Sequence, residues 1–576
     1  MAFQTEIPHD WPAWNMDWTD QQKPPRSYVA GPAQVRVVEN GPVRVALEIT
    51  REAEDSKFVQ TIRLSAGDAG NRIEFANAID WKSKEAALKA TFPLSASNPE
   101  ATYNWDIGTI QRGNNNPHKY EVASHQWFDL TDKSGDYGVT VLSDCKNGSD
   151  KPNDNTLRLT LIYTPGIGTG NGRDYSDQST QDWGHHQFVY GLAGHRGNWV
   201  QGGSEWQALR LNQPLITFTS DKHPGALGKS FSLLRINNDH VRVLALKKAE
   251  DNDDVILRMV ELDGKPEQNA RVTFAAPIAS AQEMNAQEEP LGSAQVQQGS
   301  LVTSFTPYQP RTFALKLAAT HTTVPKPRAE SVTLQYDRSV GTDRGAKPSA
   351  GFDDQGNALP AEMLPQEITY DDVPLKLTPA NAGDADAVTA KGQTIQLPSG
   401  NFNRVYVLAA SSDGDQKATF RAGDQPVDVT VEDWGGFIGQ WYDRTWNKQE
   451  VTVPPRPGAP AGAPVRKRTV LEYSGIKPAF IKRDSLGWYA SFHRTADGKD
   501  VPYSYSYLFV YPIDLPTGAT TLTLPDNDKI RILAITAAEQ SGSVHPAEPL
   551  YDVFGGESQE KSQARALAET VKSAAE

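Results

Sequence analysis

Residues 33–66 read AQVRVVENGPVRVALEITREAEDSKFVQTIRLSA and contain three runs in which apolar and polar side chains alternate. A period close to two is typical of a β-strand with one buried face, and Asn40-Gly41-Pro42 is a turn signal between two of the runs. The same alternation returns in YGVTVLSD (137–144), LRLTLIYTP (157–165) and HHQFVYGL (185–192). The sequence therefore predicts an antiparallel β protein whose first unit is residues 1–212.

Strand-like runs continue beyond this unit and indicate further β units. Residues 213–318 contain VRVLALKKA and DVILRMVEL and have the length of one antiparallel sandwich. Residues 319–330 combine Thr and Pro without periodicity and are predicted to be a linker. Residues 331–556 are predicted to form an additional β-sandwich region, with a disordered Pro- and Gly-rich loop near 454–464. Residues 557–576 have the composition of a polar helix, which predicts a short helical C-terminal tail.

Composition excludes several classes of function. The chain has 576 residues, 45 Gly, 39 Pro and a net charge of -14, so attraction to nucleic acid is not expected. Cys145 is the single cysteine, which excludes an internal disulfide and a cysteine-built metal site. No apolar run approaches the roughly 20 residues that span a bilayer. The sequence predicts a soluble, globular, loop-rich β protein.

Motifs for phosphate, dinucleotide or metal binding are incomplete in this sequence. Gly228-Lys229-Ser230 resembles the end of a phosphate-binding loop, but His223 stands where the first glycine belongs. The Gly-rich segment 166–172 does not match the dinucleotide-binding pattern and is interpreted as a loop. His185 and His186 are adjacent, so their side chains point to opposite faces of a strand. These motifs assign no catalytic or metal-binding residue.

Aromatic residues in polar surroundings suggest a carbohydrate site. Trp105, Trp127, Trp183 and Trp434 each stand beside Asp, Asn, Gln or His. A flat ring can cover the apolar face of a pyranose while such polar groups bind its hydroxyls. The alternative interpretation is that these rings close the core at the end of a sheet, as most aromatic residues of β-sandwiches do.

Four motifs follow one another between residues 101 and 164: ATYNWDIGTIQRGNN, KYEVASHQWFDLTD, DYGVTVLSDCKNGSD and LRLTLIYTP. Together they resemble the C-terminal β region of the glycoside hydrolase family 38 α-mannosidases. DWGHHQFVYGL (182–192) and YQPRTF (308–313) continue the resemblance. Motifs between residues 392 and 534 are similar to an extra β region of some bacterial members. Nearly the whole chain is covered.

The resemblance implies an all-β fold, in which a mutarotase-like supersandwich is followed by smaller antiparallel β-sandwich domains. It also implies that the catalytic carboxylates and the zinc ligands lie in an N-terminal barrel that this chain does not contain. Zinc is therefore implied for the full-length family enzyme and is not expected in this chain, to which no catalytic residue and no metal ligand is assigned.

Residues expected to contact substrate follow from the resemblance and from the polar aromatic clusters. The loop Asp144 to Gly148 matches the family, whereas Tyr163-Thr164-Pro165 stands where members usually carry an arginine. The predicted substrate-binding residues are Asp144, Lys146, Asn147, Tyr163, Trp127, Asp182 and His185. The alternative for two of them is structural, with Asp144 capping a turn and Lys146 solvated.

These observations lead to one preferred function and two alternatives. The preferred prediction is the C-terminal β-domain portion of a retaining, zinc-dependent α-mannosidase, with α-mannosides as substrates and the catalytic barrel as its partner in cis. The first alternative is a stand-alone, non-catalytic carbohydrate-binding protein of several β domains. The second is a mutarotase-like or lyase-like enzyme that uses His125, Asp129 or His185.

Overall fold

The computed structural model describes residues 1–12, 14–166, 181–220, 225, 227–319, 326–378, 383–453, 460, 462–482, 484–540 and 544–547. The chain divides into two compact units. The first comprises Met1–Leu215, Gly225–Thr322 and Arg444–Ile476. The second comprises Ile216–Pro224, Thr323–Asp443 and Lys477–Glu576. The domain boundaries predicted from the sequence remain predictions.

Two antiparallel sheets form the large sandwich of the first unit. The smaller sheet has six strands, in the spatial order Val122–Ala123, Gly148–Asn153, Thr156–Thr164, Ala86–Pro93, Ala2–Thr5 and Ser27–Tyr28. The larger has nine, in the order Gln34–Asn40, Arg44–Ala53, Ser56–Ser65, Ile73–Trp81, Gly184–Arg196, Tyr137–Ser143, Trp127–Thr131, Glu100–Trp105 and Gly108–Gly113. The first four strands of the larger sheet form a meander, because long alternating runs joined by short turns keep the apolar face on one side.

A single aromatic-rich core lies between these sheets. Trp81 and Phe3 stack with ring centroids 5.8 Å apart, and Phe58 meets Trp81 edge-on. Leu157, Leu159 and other apolar residues of the alternating strands are also buried in this core. The predicted all-β class, a supersandwich with smaller antiparallel sandwiches, is confirmed. The predicted helical tail lies outside the described residues.

The α-helix Ser204–Asn212 is an element that the strand pattern did not predict. Its buried face is polar, since Glu205 and Gln207 are buried together with Ala208, so no apolar helical periodicity marks it in the sequence. Glu205 accepts a hydrogen bond from Asn104 at 3.1 Å, and Gln207 accepts one from Arg72 at 3.1 Å. These bonds hold the helix against the nine-stranded sheet.

A second, smaller sandwich completes most of the first unit. Its sheets are Leu234–Ile236, Glu267–Phe274, Ser300–Phe305 and Val296–Gln297, and Val241–Lys248, Val255–Glu261, Pro310–Leu317, Ile278–Met284 and Pro290–Ser293. The hairpin Asp443–Val453 and Arg466–Lys477 also lies largely in the first unit, where Tyr473 stacks on Trp183 at 6.1 Å. A segment distant in sequence thus adds to the first unit's core.

The second unit is also a β-sandwich. Its six-stranded sheet contains Arg328–Ser331, Asp526–Glu539, Arg404–Ser411, Asp500–Asp514, Ser485–Arg494 and Val388–Lys391, and its four-stranded sheet contains Thr394–Gln396, Thr521–Thr523, Gln416–Ala422 and Gln425–Val431. Short pairs are Phe218–Ser220 with Val544–Pro546, Gly341–Thr342 with Leu359–Pro360, Glu367–Tyr370 with Val373–Lys376, and Gly439–Gln440 with Phe480–Ile481. The strand Arg404–Ser411 is buried along nearly its whole length, as expected for the centre of a sandwich.

Helical structure is short among the described residues. It comprises the α-helices Trp18–Gln21 and Ser204–Asn212 and the 3₁₀ turns Gly67–Gly70 and Ala361–Met363. In the part of the chain that the structure describes, neither α-helix has the length and apolar character needed to cross a membrane. The segment 166–172, interpreted as a loop, lies outside the described residues except for Gly166, and so does most of the loop near 454–464.

Candidate functional site

A cleft of about 680 Å³ lies over the six-stranded sheet of the first unit. Its walls come from the N-terminal segment, the hairpin that ends at Gly113, the loop before Val122 and the strand Thr156–Thr164. The principal lining side chains are Trp14, Trp105, Arg112, Tyr120, Glu121 and Tyr163. This volume is within the range of small-ligand sites, and the lining combines aromatic with polar groups.

Two tryptophan rings at the cleft are open to solvent. Trp14 is 75% exposed and stacks on Trp11 with ring centroids 5.5 Å apart. Trp105 is 47% exposed, and the guanidinium of Arg112 lies 5.3 Å from its ring centroid. Exposed rings of this size lose apolar hydration when a ligand covers them, so they are suited to the C–H face of a sugar.

Beneath the cleft, ionic side chains cover the face of the six-stranded sheet that points away from the core. Lys89 Nζ lies 2.6 Å from Glu121 Oε2 and 2.5 Å from Asp150 Oδ2, and Arg158 Nε lies 2.6 Å from Asp150 Oδ1. Burial opposes the charge of Lys89, but the carboxylates of Asp150 and Glu121 outweigh it and raise the pKa of Lys89. Two cations and two carboxylates therefore neutralise one another below the cleft.

Hydrogen bonds hold the N-terminal segment over this sheet. The hydroxyl of Tyr163 donates to the carbonyl of Asn15 at 2.6 Å, and that of Tyr120 donates to the carbonyl of Met16 at 2.6 Å. Burial raises the pKa of both phenols, so both stay protonated as donors at neutral pH. Tyr163, predicted from the sequence, thus lies in the cleft wall and positions the segment that carries Trp14.

Glu6 is buried in the same N-terminal segment. Burial raises the pKa of its carboxyl to about 8, despite the opposing charge of Lys89. Gln21 donates a hydrogen bond to one of its oxygens. At neutral pH Glu6 is consequently protonated and adds no negative charge next to the cleft.

The other predicted loop residues gather at a different place, near the strand Gly184–Arg196. Asp144 accepts a hydrogen bond from the Val189 amide at 2.8 Å, and Lys146 Nζ lies 4.6 Å from the Phe188 ring centroid. The exposed side chain of Asn147 follows them, and the Asn147 carbonyl accepts from the Ser124 amide at 2.8 Å. Asp144 and Lys146 therefore have local structural partners.

His185, Asp182 and His186 form two pairs next to this loop. His185 Nδ1 lies 2.7 Å from Asp80 Oδ1, whereas His186 Nε2 lies 2.9 Å from the Asp182 carbonyl and 3.9 Å from its carboxylate. Burial lowers the pKa of His186. Within the described ranges, no three His, Cys, Asp or Glu side chains are grouped as a metal ion requires.

Trp127 lies away from the cleft, in a small buried cluster with Leu142, Ala193 and Ala208 of the helix Ser204–Asn212. Its side chain is fully buried and contacts Trp199 at 5.1 Å between ring centroids, so neither face is open to a sugar. The geometry does not support a substrate contact for Trp127 and instead matches the alternative interpretation, a ring that closes the core.

Asp129 and His125 do not form a catalytic group. Asp129 is fully buried and accepts hydrogen bonds from Thr131 at 2.6 Å and Thr140 at 2.8 Å, besides its contact with His195. His125 is exposed and lies 5.5 Å from the Trp105 ring. The mutarotase-like or lyase-like alternative gains no support from this arrangement.

Sequence reasoning missed Trp14, Arg112, Tyr120 and Glu121 as lining residues of the cleft. The aromatic segment DWPAWNMDW (10–18) was a signal for Trp14, because clustered Trp and Asp residues are unusual in a segment without strand periodicity. Nothing in the sequence marked Arg112, which stands at an ordinary polar position of a strand.

Comparison with known families matches three segments of the chain. Residues 2–166 match the C-terminal domain of glycosyl hydrolases family 38, and residues 240–313 match the C-terminal β-sandwich domain of the same family. Residues 328–541 match an AziU2-like β-sandwich domain. The two family 38 matches lie in the first unit, and the first of them includes the residues that line the cleft.

Named relatives are longer proteins. Alpha-mannosidase 2C1 of Mus musculus is 28% identical over 324 residues, which are 54% of this chain and 29% of the mouse protein. The Homo sapiens protein of the same name is 25% identical, over 53% of this chain and 29% of its own length. A crystal structure of an alpha-mannosidase from Enterococcus faecalis V583 aligns with a TM-score of 0.42 and 18% identity, over 49% of this chain and 35% of that chain. The chain thus spans less than a third of the two mammalian relatives.

Proposed function

We propose that this chain, which carries the C-terminal region of a family 38 glycosyl hydrolase, is the β-domain portion of a retaining, zinc-dependent α-mannosidase. The observation that carries the proposal is the ordered match of residues 2–166 and 240–313 to the two C-terminal domains of that family. Its substrates are α-mannosides. The β region supports the catalytic domain and forms part of the carbohydrate-binding cleft.

In the proposed enzyme the chemical steps belong to the catalytic barrel. A retaining glycosidase uses one carboxylate as nucleophile and another as acid and base. Zinc would bind sugar hydroxyls and polarise them. The described residues of this chain do not fit a zinc site, because their carboxylates and imidazoles are arranged in pairs. We therefore assign no zinc ligand and no catalytic step to them.

An exposed apolar face of the nine-stranded sheet supports a contact with another domain. Val37 lies opposite Leu47, Val45 opposite Leu64, and Leu64 opposite Ile73 in the registers of neighbouring strands. All five side chains are exposed, although an alternating strand normally places polar residues on its open face. A contiguous apolar patch marks an interaction surface, and the proposed occupant is the catalytic barrel.

The cleft supports the carbohydrate-binding part of the proposal. Trp14 and Trp105 offer open ring faces, and Tyr163 lies in the wall between polar groups. The loop residues Asp144, Lys146 and Asn147, with Asp182 and His185, remain predicted substrate contacts of the assembled enzyme. Their proposed role requires a substrate that is bound in the catalytic barrel and extends far enough to contact them.

The exposed tryptophans also favour a second candidate, a stand-alone carbohydrate-binding protein. A ring face such as that of Trp14 can bind a sugar without any catalytic residue nearby. The two candidates differ in the apolar sheet face, which has a partner only in the enzyme.

Co-purification with a family 38 catalytic barrel tests the choice. We expect the 576-residue chain to be retained on a tagged barrel and Val37→Lys to release it, because a charge in the apolar face must be desolvated on docking. Leu291→Lys is the matched control, since Leu291 is exposed on the other sandwich of the same unit. Absence of retention, or equal retention of both variants, would favour the stand-alone protein.

A further inference from the structure

We propose that the cleft binds a saccharide that carries an anionic substituent, a phosphate or a carboxylate group. The inference rests on the proposed function, since it assumes that the cleft takes a sugar, and it adds the charge of the ligand. The observations that carry it are an excess of positive side chains at the cleft and the neutralisation of the neighbouring carboxylates.

Arg112 is the principal cation. Its guanidinium lies 5.3 Å from the Trp105 ring centroid and 5.7 Å from that of Tyr103, and the two rings hold it beside the cleft. Among the described residues it has no carboxylate partner, and its buried Nε has no hydrogen-bond acceptor. A half-buried guanidinium without a partner has donors for a planar or tetrahedral anion, which it can bind in a bidentate manner.

Lys119 adds to this charge at the rim, where the imidazole of His118 lies next to it in the sequence. Both side chains are exposed and line the cleft, and neither has an ion-pair partner within the described part of the chain. The 576-residue chain carries a net charge of -14, so a group of cations without acidic partners is unusual on its surface. Such a cluster attracts anions from solution.

The carboxylates near the cleft do not cancel these cations. Glu121 is paired with Lys89 and also accepts a hydrogen bond from Thr160 at 2.6 Å. Glu6 is protonated at neutral pH, because burial raises its pKa to about 8. Asp10 and Asp20 of the same segment are paired with His9 and Lys23. Asp17 accepts hydrogen bonds from the His9 amide at 2.7 Å and from Asn15 at 3.0 Å. The two positive charges of Arg112 and Lys119 exceed the single negative charge of Asp17.

The aromatic lining indicates that the anion is attached to a sugar. An inorganic anion needs only donors, whereas Trp14 and Trp105 place two open ring faces at the same cleft. A pyranose covering a ring would bring an exocyclic phosphate or carboxylate within reach of the guanidinium that packs on Trp105. The cleft volume of about 680 Å³ accommodates a small saccharide.

Calorimetric titration of the full chain tests this with four probes: methyl α-mannoside, mannose 6-phosphate, mannuronic acid and inorganic phosphate. We expect at least one anionic sugar to bind about tenfold more tightly than methyl α-mannoside at low salt, and this preference to weaken as salt is added. The two anionic sugars distinguish phosphate from carboxylate. Arg112→Gln should abolish the preference, and Lys119→Gln should reduce it.

Arg36→Gln is the matched control, because Arg36 is an exposed arginine on the nine-stranded sheet. It should leave the preference unchanged, and circular dichroism verifies that each variant is folded. Equal affinity for neutral and anionic sugars would overturn the inference and leave the proposed function intact. Equal affinity for inorganic phosphate and mannose 6-phosphate would overturn the saccharide part. Absence of binding by all probes would contradict both the inference and the carbohydrate-binding role.

Discussion

His195 Nε2 lies 2.7 Å from Asp129 Oδ2 inside the first unit, and both side chains are almost inaccessible to solvent. Thr140 donates to the same carboxylate at 2.8 Å and shares a hydrogen bond of 2.6 Å with Ser204, the first residue of the helix Ser204–Asn212. The ion pair therefore connects the nine-stranded sheet with the start of the helix. Burial disfavours the charged imidazole, but the hydrogen bond and charge of Asp129 outweigh it and raise the pKa of His195.

This pair predicts a pH-dependent contribution to stability. Because the pKa of His195 is higher in the folded state than in the unfolded state, its contribution is complete below about pH 6.5 and is lost as pH rises through the folded pKa. We expect His195→Gln to lower the free energy of unfolding more at pH 5.5 than at pH 8.5, as measured by urea denaturation. His9→Gln, at an exposed pair with Asp10, is the control. A pH-independent cost of His195→Gln would contradict the assignment.

Lys89 is predicted to contribute strongly to stability through its buried contacts. Lys89→Met should lower the free energy of unfolding by about 3–5 kcal/mol, because the buried Asp150 and the partly buried Glu121 lose a shared cation. Lys84→Met removes the exposed pair of Lys84 with Glu472 and should cost less than about 1 kcal/mol. Chemical denaturation of the two variants measures the difference. Similar small costs would show that the network below the cleft contributes little.

Glu6 should have the opposite pH dependence to an ordinary surface carboxylate. Burial raises the pKa of Glu6 to about 8, so the folded state favours the protonated form and wild-type stability decreases as pH rises from about 4.5 to 8. Glu6→Gln keeps a neutral amide there and removes this loss. Relative to the wild type, we expect the variant's melting temperature to increase between pH 5 and pH 9. A constant difference across this range would mean that Glu6 is ionised throughout.

Local alternation was sufficient to predict the sheets but not the helix. The runs at 33–66 became neighbouring strands, since period two places one apolar face against the core. The helix Ser204–Asn212 has no such signature, because its buried residues Glu205 and Gln207 are polar and satisfied by tertiary hydrogen bonds. Nor does local sequence indicate that the hairpin containing Tyr473 packs on Trp183 of the first unit.

The sequence alone was also insufficient to predict which residues line the cleft. Trp105 and Trp127 both stand in polar surroundings, but Trp105 is at the end of its strand and exposed, whereas Trp127 is fully buried against Trp199. Trp14, Arg112 and Tyr163 are brought together by tertiary structure alone, from an irregular segment and from two different sheets. Residue type therefore predicted a carbohydrate site, which stays a prediction, while the position of the cleft required the fold.

Hydrolysis of an aryl α-mannoside tests the central claim most directly. The assay compares the purified 576-residue chain with the same chain in complex with a family 38 catalytic barrel, with and without a chelator, while bound zinc is measured in each sample. The account predicts no turnover and no stoichiometric zinc for the chain alone, and chelator-sensitive turnover with zinc for the complex. Chelator-sensitive hydrolysis by the chain alone would contradict it and would place a catalytic metal site within these β domains.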